Sequence, residues 1–215
     1  MKKFFTEAEL GQIKSAVAEA EKATSAEIVP VFFESCGNYH DTYWKSGILF
    51  ASLWSFLFAI YQSSAVGIWN ISLQFFFLTQ MTAGILGVIA AYLFPAWKRL
   101  LMDRVDVKRR IQDVAFKVFL QEEIYKTKER TGMLLFMSFL EKEAVVLGDE
   151  GINKEVSPAI WEGILSQLTE GMKKGEKTTA IIQTIQSMGN LLKQYPIKPN
   201  DINELRDDLR IGDGK

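Results

Sequence analysis

A small α/β sandwich carrying an inserted two-helix transmembrane hairpin is the fold class that the sequence predicts, on three observations. The first is a 52-residue stretch, Ser46 to Trp97, that contains no Asp, Glu, Lys, Arg or His. The second is a set of amphipathic helical segments and short apolar runs of strand length on both sides of it. The third is their order along the chain: helix, strand, hairpin, helix, strand, strand, helix, helix.

Averaged over 215 residues, 25 Lys plus Arg against 26 Asp plus Glu, with 48% hydrophobic residues, would describe one ordinary soluble domain. All 51 charges nevertheless lie in the 163 residues outside the uncharged stretch, where about 31% are charged, against roughly 25% in an average domain. The average conceals two unlike objects. A net charge of −1 excludes a basic nucleic-acid binder, and Cys36, the single cysteine, excludes a disulfide-stapled fold. Met1-Lys2-Lys3 precedes a polar segment, which does not fit a secretory signal.

Thr6-Glu7-Ala8-Glu9 fits a capping box, and Leu10, Ile13, Val17 and Ala20 recur at helical spacing in a first helix ending near Ala23. Glu27 to Phe33 reads as a strand in which Pro30 removes one ladder donor and predicts an edge position or a bulge. The hairpin follows. Trp44 to Tyr61 and Leu73 to Trp97 would make helices of about 27 and 37 Å against a hydrocarbon core of about 30 Å. Gln62 to Ser72 is a polar connection, and Tyr43, Trp44, Tyr61, Trp69 and Trp97 fall where interfacial aromatics lie. A buried helical pair is the alternative, but the remaining 163 residues could hardly wrap two helices that carry no charge along their length.

Lys45 opens the first span; Lys98, Arg99, Arg104, Lys108, Arg109 and Arg110 follow the second, and the connection has no basic residue, so both flanks are expected in the cytoplasm. That basic run is either the solvated face of an amphipathic helix or a surface resting on anionic headgroups. The expected domains are 1–43 with 98–215, a discontinuous α/β domain, and 44–97, the transmembrane hairpin.

After the hairpin, Arg104 to about Lys128 reads as a helix turning Ile111, Val114, Ala115, Val118, Phe119 and Ile124 inward. Met133 to Leu140 and Ala144 to Leu147 form a strand hairpin about a solvated Glu141-Lys142-Glu143 turn. Ser157-Pro158 caps a third helix that uses Ile160, Trp161, Ile164, Leu165 and Leu168, with Gly171 and Gly175 ending it. Ile181, Ile182, Ile185, Met188 and Leu192 define a fourth, and Pro196 and Pro199 lead into a polar tail. The strand, helix, strand crossover predicts parallel first and second strands, with the third antiparallel to the second.

Thr24-Ser25-Ala26-Glu27-Ile28-Val29, Arg130-Thr131-Gly132-Met133-Leu134-Leu135 and Gly148-Asp149-Glu150-Gly151-Ile152 together resemble the TPM domain family, whose name joins a thylakoid lumen protein, a photosystem II repair factor and a nematode receptor modifier. The likeness spans about 150 residues, and Asn203-Glu204-Leu205 is similar to the family's bacterial membrane-anchored branch. It implies an α/β/α sandwich, a calcium or other metal site in some members, and the weak acid phosphatase activity ascribed to plant members. Many members have a Gly-aromatic-Gly-Leu turn followed by a Thr-Asp pair; here Gly148-Asp149-Glu150-Gly151 and Ser157-Pro158 stand there, so that Asp is not carried over.

The strand directions alone bring Ser25 and Glu27, Arg130 and Thr131, and Asp149 and Glu150 to one edge of the sheet. With Glu141-Lys142 as a tight turn, Asp149 falls opposite Leu134. Asp149, Glu150 and Glu27 would hold Ca²⁺ or Mg²⁺ through hard oxygens, and Arg130, Thr131 and helix N–H groups would take a phosphate. The competing reading is a clamp in which Arg130 pairs with Asp149 or Glu150 while Gly132 and Gly151 occupy tight backbone positions. His40 is read as a surface histidine, Cys36 as a reduced thiol and Trp161 as core. The hairpin leaves from the far end of the first strand, so the polar edge is expected to face the cytoplasm, away from the bilayer.

Two functions compete: an interaction or assembly module for a membrane protein complex or homo-oligomer, and a metal-dependent, phosphatase-like hydrolase. The bilayer is a partner in both, nucleic acid in neither. A transporter is not expected, because two spans without an interior ionisable residue offer no ion path unless they oligomerise.

Overall fold

Thr6 opens the first helix as its residues dictate: its hydroxyl accepts the Glu9 amide at 3.3 Å, and the Glu9 carboxylate accepts the Thr6 amide at 2.7 Å. These bonds satisfy end amides that have no partner within the helix. The computed structural model describes residues 4–22, 24–63, 72–156, 158–193 and 204–212. Ser157, Trp69, Pro196, Pro199, Asn203 and most of the 62–72 connection lie outside the described residues.

The elements are α1 (Glu7–Glu21), β1 (Glu27–Phe33), α2 (His40–Ser63), α3 (Leu73–Leu93), α4 (Pro95–Leu101), α5 (Arg104–Gln121), a 3₁₀ turn (Ile124–Lys126), β2 (Gly132–Ser138), β3 (Glu143–Gly148), α6 (Glu150–Glu155), α7 (Pro158–Lys174), α8 (Lys177–Leu192) and β4 (Arg210–Gly212). They divide into two compact units, Met1–Gly37 with Lys108–Lys215, and Asn38–Val107.

In the first unit the strand order is β3-β2-β1-β4. β1 pairs parallel with β2 and with β4, and β2 pairs antiparallel with β3, so the expected crossover and hairpin are both present. Ile13 and Val17 of α1, Trp161 and Leu168 of α7, and Ile181, Ile185 and Met188 of α8 share one core with Ile28, Phe32, Met133 and Leu135 of the sheet. Val29, Val31, Leu134 and Phe136 are equally buried but lie outside that core, as strand alternation requires of residues on the other face. The inward residues of α5, Ile111, Ala115, Val118 and Phe119, are buried apart from the first core too. The result is the sandwich expected.

Several details differ from the sequence reading. β1 is an inner strand and not an edge, because β4, three residues of the supposed polar tail, pairs with Val31–Phe33; Pro30 is accommodated one residue before that ladder begins. α5 stops at Gln121 because Glu123 adopts φ 55°, and Ile124 is buried from the following 3₁₀ turn. The β2–β3 turn is longer than two residues: Ser138 faces Glu143 and Met133 faces Gly148, a register shifted by two, which preserves the faces but places Asp149 beside Gly132. Glu141 is not solvated but buried. Its carboxylate accepts the Cys36 amide at 2.8 Å and the Ser138 hydroxyl. Ile160 of α7 is 45% exposed. Gly171 does not end α7; it lies inside the helix, where a Cβ would meet the Ala180 Cβ at 2.4 Å, and Gly175 at φ 89° makes the stop.

The second unit is the helical hairpin. α2 and α3 are both long and apolar enough to cross a membrane. Small residues bring them together: a Cβ on Gly87 would lie 2.6 Å from the Ser46 carbonyl. The Ser46 hydroxyl donates to the Gly87 carbonyl at 2.6 Å and accepts the Trp97 indole N–H at 2.8 Å. The second span does not run to Trp97 as expected. Pro95 lacks an N–H and disfavours helical backbone before it, so Phe94 turns to φ −111°, ψ 97° and α4 starts as a separate helix.

Candidate functional site

The polar edge is built from the β2–β3 register. The Asp149 amide donates to the Gly132 carbonyl at 2.9 Å, which sets Asp149 at the end of β3 beside the residues that enter β2. Arg130 sits there in the left-handed region at φ 57°, its amide donating to the Thr127 carbonyl at 3.1 Å and its carbonyl accepting the Gly151 amide at 3.0 Å. The Thr127 hydroxyl accepts the amides of both Thr131 and Gly132 at 3.1 Å. Thr131 in turn donates its hydroxyl to the Ser25 carbonyl at 3.0 Å and accepts the Glu27 amide at 3.3 Å, tying β1 to the same corner.

The six residues singled out in the sequence therefore come to one edge, but their side chains do not converge on one point. Arg130 Nε lies 3.0 Å from Asp149 Oδ2, with the guanidinium side chain 49% exposed and the carboxylate 5%. Arg130 also donates to the Tyr125 carbonyl at 3.0 Å. Asp149 Oδ1 accepts the Glu150 amide at 2.7 Å and so opens α6. Glu150 turns to the surface and pairs with Lys154 at 3.0 Å, a contact that holds its carboxyl below the usual range. Glu27 is buried; one oxygen accepts the Glu204 amide at 3.0 Å, and the other has no hydrogen-bond partner among the described residues.

Glu27 belongs instead to a second acidic group that sequence reasoning missed. Glu21, at the end of α1, accepts the Ile28 amide at 2.6 Å. Burial pushes its carboxyl up to about 8, with the charges of Glu27 and Asp207 adding to the effect, and burial raises Glu27 as well. The available signal was spacing: Glu21 continues the buried stripe of Ile13 and Val17 by one more helical turn. Cys36 is buried, and that burial pushes its thiol up to about 12, which makes it a poor nucleophile.

The TPM domain family model matches residues 100–191. That segment runs from the end of α4 through nearly all of α8 and contains the Arg130–Asp149 corner, while α1, β1 and the hairpin precede it. The NMR structure of the BA42 protein from the psychrophilic bacterium Bizionia argentinensis is similar at a TM-score of 0.60 and 22% identity, covering 99% of this chain and 98% of that one. At that identity the likeness is one of fold. No curated protein matches the chain.

Among the described residues, no group of three or more His, Cys, Asp or Glu side chains is arranged to hold a metal ion. Asp149 pairs with Arg130, Glu150 pairs with Lys154, and one Glu27 oxygen accepts the Glu204 amide. Arg130 and Asp149 form the ion pair that the clamp reading requires. Replacing Arg130 by Met would leave a buried carboxylate without its charge partner, at a cost of about 2 kcal/mol after allowing for the exposed guanidinium. Thermal melting of the full chain in detergent should then show a drop of about 4–8 °C. A variant melting with the wild type would remove the clamp.

Proposed function

We propose that this chain is a membrane-anchored TPM-domain protein whose α/β unit serves as an interaction or assembly module for a membrane protein complex, including one built from further copies of itself. The observation that carries the reading is the place of the hairpin in the chain. The two span-length helices are inserted between β1 and the crossover helix α5, so the anchor is a loop of the fold and not an appended tail. Their outward residues, among them Ile48, Phe56, Leu78 and Met81, are exposed apolar side chains suited to lipid. Lys45 and the cluster from Lys98 to Arg110 support a cytoplasmic α/β unit by the positive-inside rule.

The hydrolase reading has less support, because it requires Arg130 for a phosphate and Asp149 with Glu150 for a metal, and these groups are paired with neighbours. One experiment separates the two: the full chain purified in mild detergent is assayed for stably copurifying membrane proteins, for self-association, and for aryl-phosphate hydrolysis with Mg²⁺ or Ca²⁺. Expected are a defined complex and no turnover. Metal-dependent turnover abolished by Asp149→Asn in a folded protein would overturn the assembly reading.

A further inference from the structure

The break at Pro95 sets α4 apart from α3 as a short helix of its own. α4 is tied to the start of α2. Trp97 donates to Ser46, Lys98 Nζ donates to the Asn38 carbonyl at 3.0 Å and contacts the Tyr43 hydroxyl at 3.1 Å, and Lys45 Nζ reaches the Leu101 carbonyl at 3.4 Å. Leu100 is 72% exposed, and Val105, in the first turn of α5, is 78% exposed. Tyr92, Leu93 and Phe94, at the end of α3, are exposed as well.

Charge accompanies these residues. Residues 98–110 contain six basic side chains and two acidic ones in a chain whose net charge is −1. Of the two acids, Asp103 uses Oδ1 to accept the Val105 and Asp106 amides at 2.8 and 3.4 Å, capping α5. Arg99 and Arg104 flank Leu100 and Val105, and Lys108, Arg109 and Arg110 follow on the same helix. Exposed apolar residues interleaved with basic ones, immediately next to a span, are the pattern of a segment lying in the membrane interface.

We propose that α4 and the first turn of α5 form an interfacial segment that binds anionic phospholipid headgroups through Arg99 and Arg104, with Leu100 and Val105 seated at the acyl boundary. The inference rests on the hairpin spanning the bilayer and adds the class of lipid that its cytoplasmic end selects. Lys98, held over the Tyr43 ring at 4.8 Å, fixes α4 so that the apolar and basic side chains meet the surface together.

The test uses the full chain with Cys36→Ala, reconstituted in nanodiscs of phosphatidylcholine alone or with phosphatidylglycerol. An environment-sensitive fluorophore is placed in turn at Leu100→Cys, Val105→Cys, Phe56→Cys and Ser166→Cys. Labels at 100 and 105 should be quenched by lipids brominated near the headgroup, about twofold more strongly with phosphatidylglycerol present, and Arg99→Glu with Arg104→Glu should remove that difference. The Phe56 label should respond to lipids brominated deep in the chains, and the Ser166 label to neither. Quenching at 100 and 105 no stronger than at Ser166, with Phe56 still quenched, overturns this inference alone. Loss of quenching at Phe56 overturns the spanning reading itself. Equal quenching at 100 and 105 in both lipid mixtures overturns the selection of anionic headgroups.

Discussion

Raising the pH from about 5 to about 8.5 should lower the melting temperature of the α/β unit by on the order of 10 °C, and Glu21→Gln should abolish most of that fall. The cause is the carboxyl at the end of α1, pushed up to about 8 by burial first and by Glu27 and Asp207 second, against a hydrogen bond from the Ile28 amide that acts the other way. An acid whose folded pKa is raised holds its proton more tightly in the native state than in the unfolded chain. Its contribution to stability is complete below the unfolded value of 4.5 and is lost as pH rises through about 8, with no further change above. The full shift corresponds to an upper bound of about 5 kcal/mol. Glu27 is raised by burial too and adds in the same direction, with a buried oxygen that has no hydrogen-bond partner among the described residues. Glu9, by contrast, is drawn down to about 2 by its bonds to Thr178 and Thr6, so its contribution is lost only in strong acid, outside the window. Gln at position 21 keeps an oxygen for the Ile28 amide and cannot ionise. It should therefore melt above the wild type at pH 8.5 and with it near pH 5. An unchanged pH slope in that variant would show that Glu21 does not bear the linkage.

What the sequence made legible follows the strength of its local signals. The Thr6–Glu9 box, β1, the apolar run of β2 and the two uncharged helices each carry a pattern that tertiary context has no reason to override, and each stands within a few residues of its expected place. The two-residue error in the β2–β3 register has a specific source. Lys142 takes φ 53°, a conformation that turns usually assign to Gly or Asn, so the sequence offered no marker for the longer turn. β4 was invisible because Arg210–Gly212 is too short for periodicity; only the exposed side of β1 creates it. The convergence of Ser25 and Glu27 with Arg130, Thr131 and Asp149 could be read from strand direction alone. Which carboxylate Arg130 would take could not, because that choice depends on the left-handed backbone at Arg130 and on the α6 cap at Asp149.

Gly132→Ala should cost about 3 kcal/mol or more, enough to lower the melting temperature by about 6–12 °C. A Cβ at this position would lie 2.2 Å from the Ile124 carbonyl oxygen and 2.8 Å from Ile124 Cγ2. The strand cannot shift to relieve the contact, since the Gly132 amide is bound by Thr127 and its carbonyl by the Asp149 amide, while Ile124 is itself fully buried. Gly151→Ala meets the Arg130 and Glu129 carbonyls at 2.8 and 2.9 Å and should cost somewhat less, because it lies on a short helix at the surface side of the same corner. Gly163→Ala is the control: beyond its chain neighbours and its own helix backbone, no described atom lies within 4 Å of its Cβ, and within α7 the change should be neutral or stabilising by up to about 1 kcal/mol. The contrast assigns a physical reason to the two motifs that meet at this edge. Arg130-Thr131-Gly132 and Gly148-Asp149-Glu150-Gly151 require small residues and one ion pair so that three backbone segments can pass at hydrogen-bond distance, a demand of packing that holds whether or not any ligand binds there. Equal melting of Gly132→Ala and wild type, measured on the full chain in detergent, would remove that reason and return the motifs to a role in binding or chemistry.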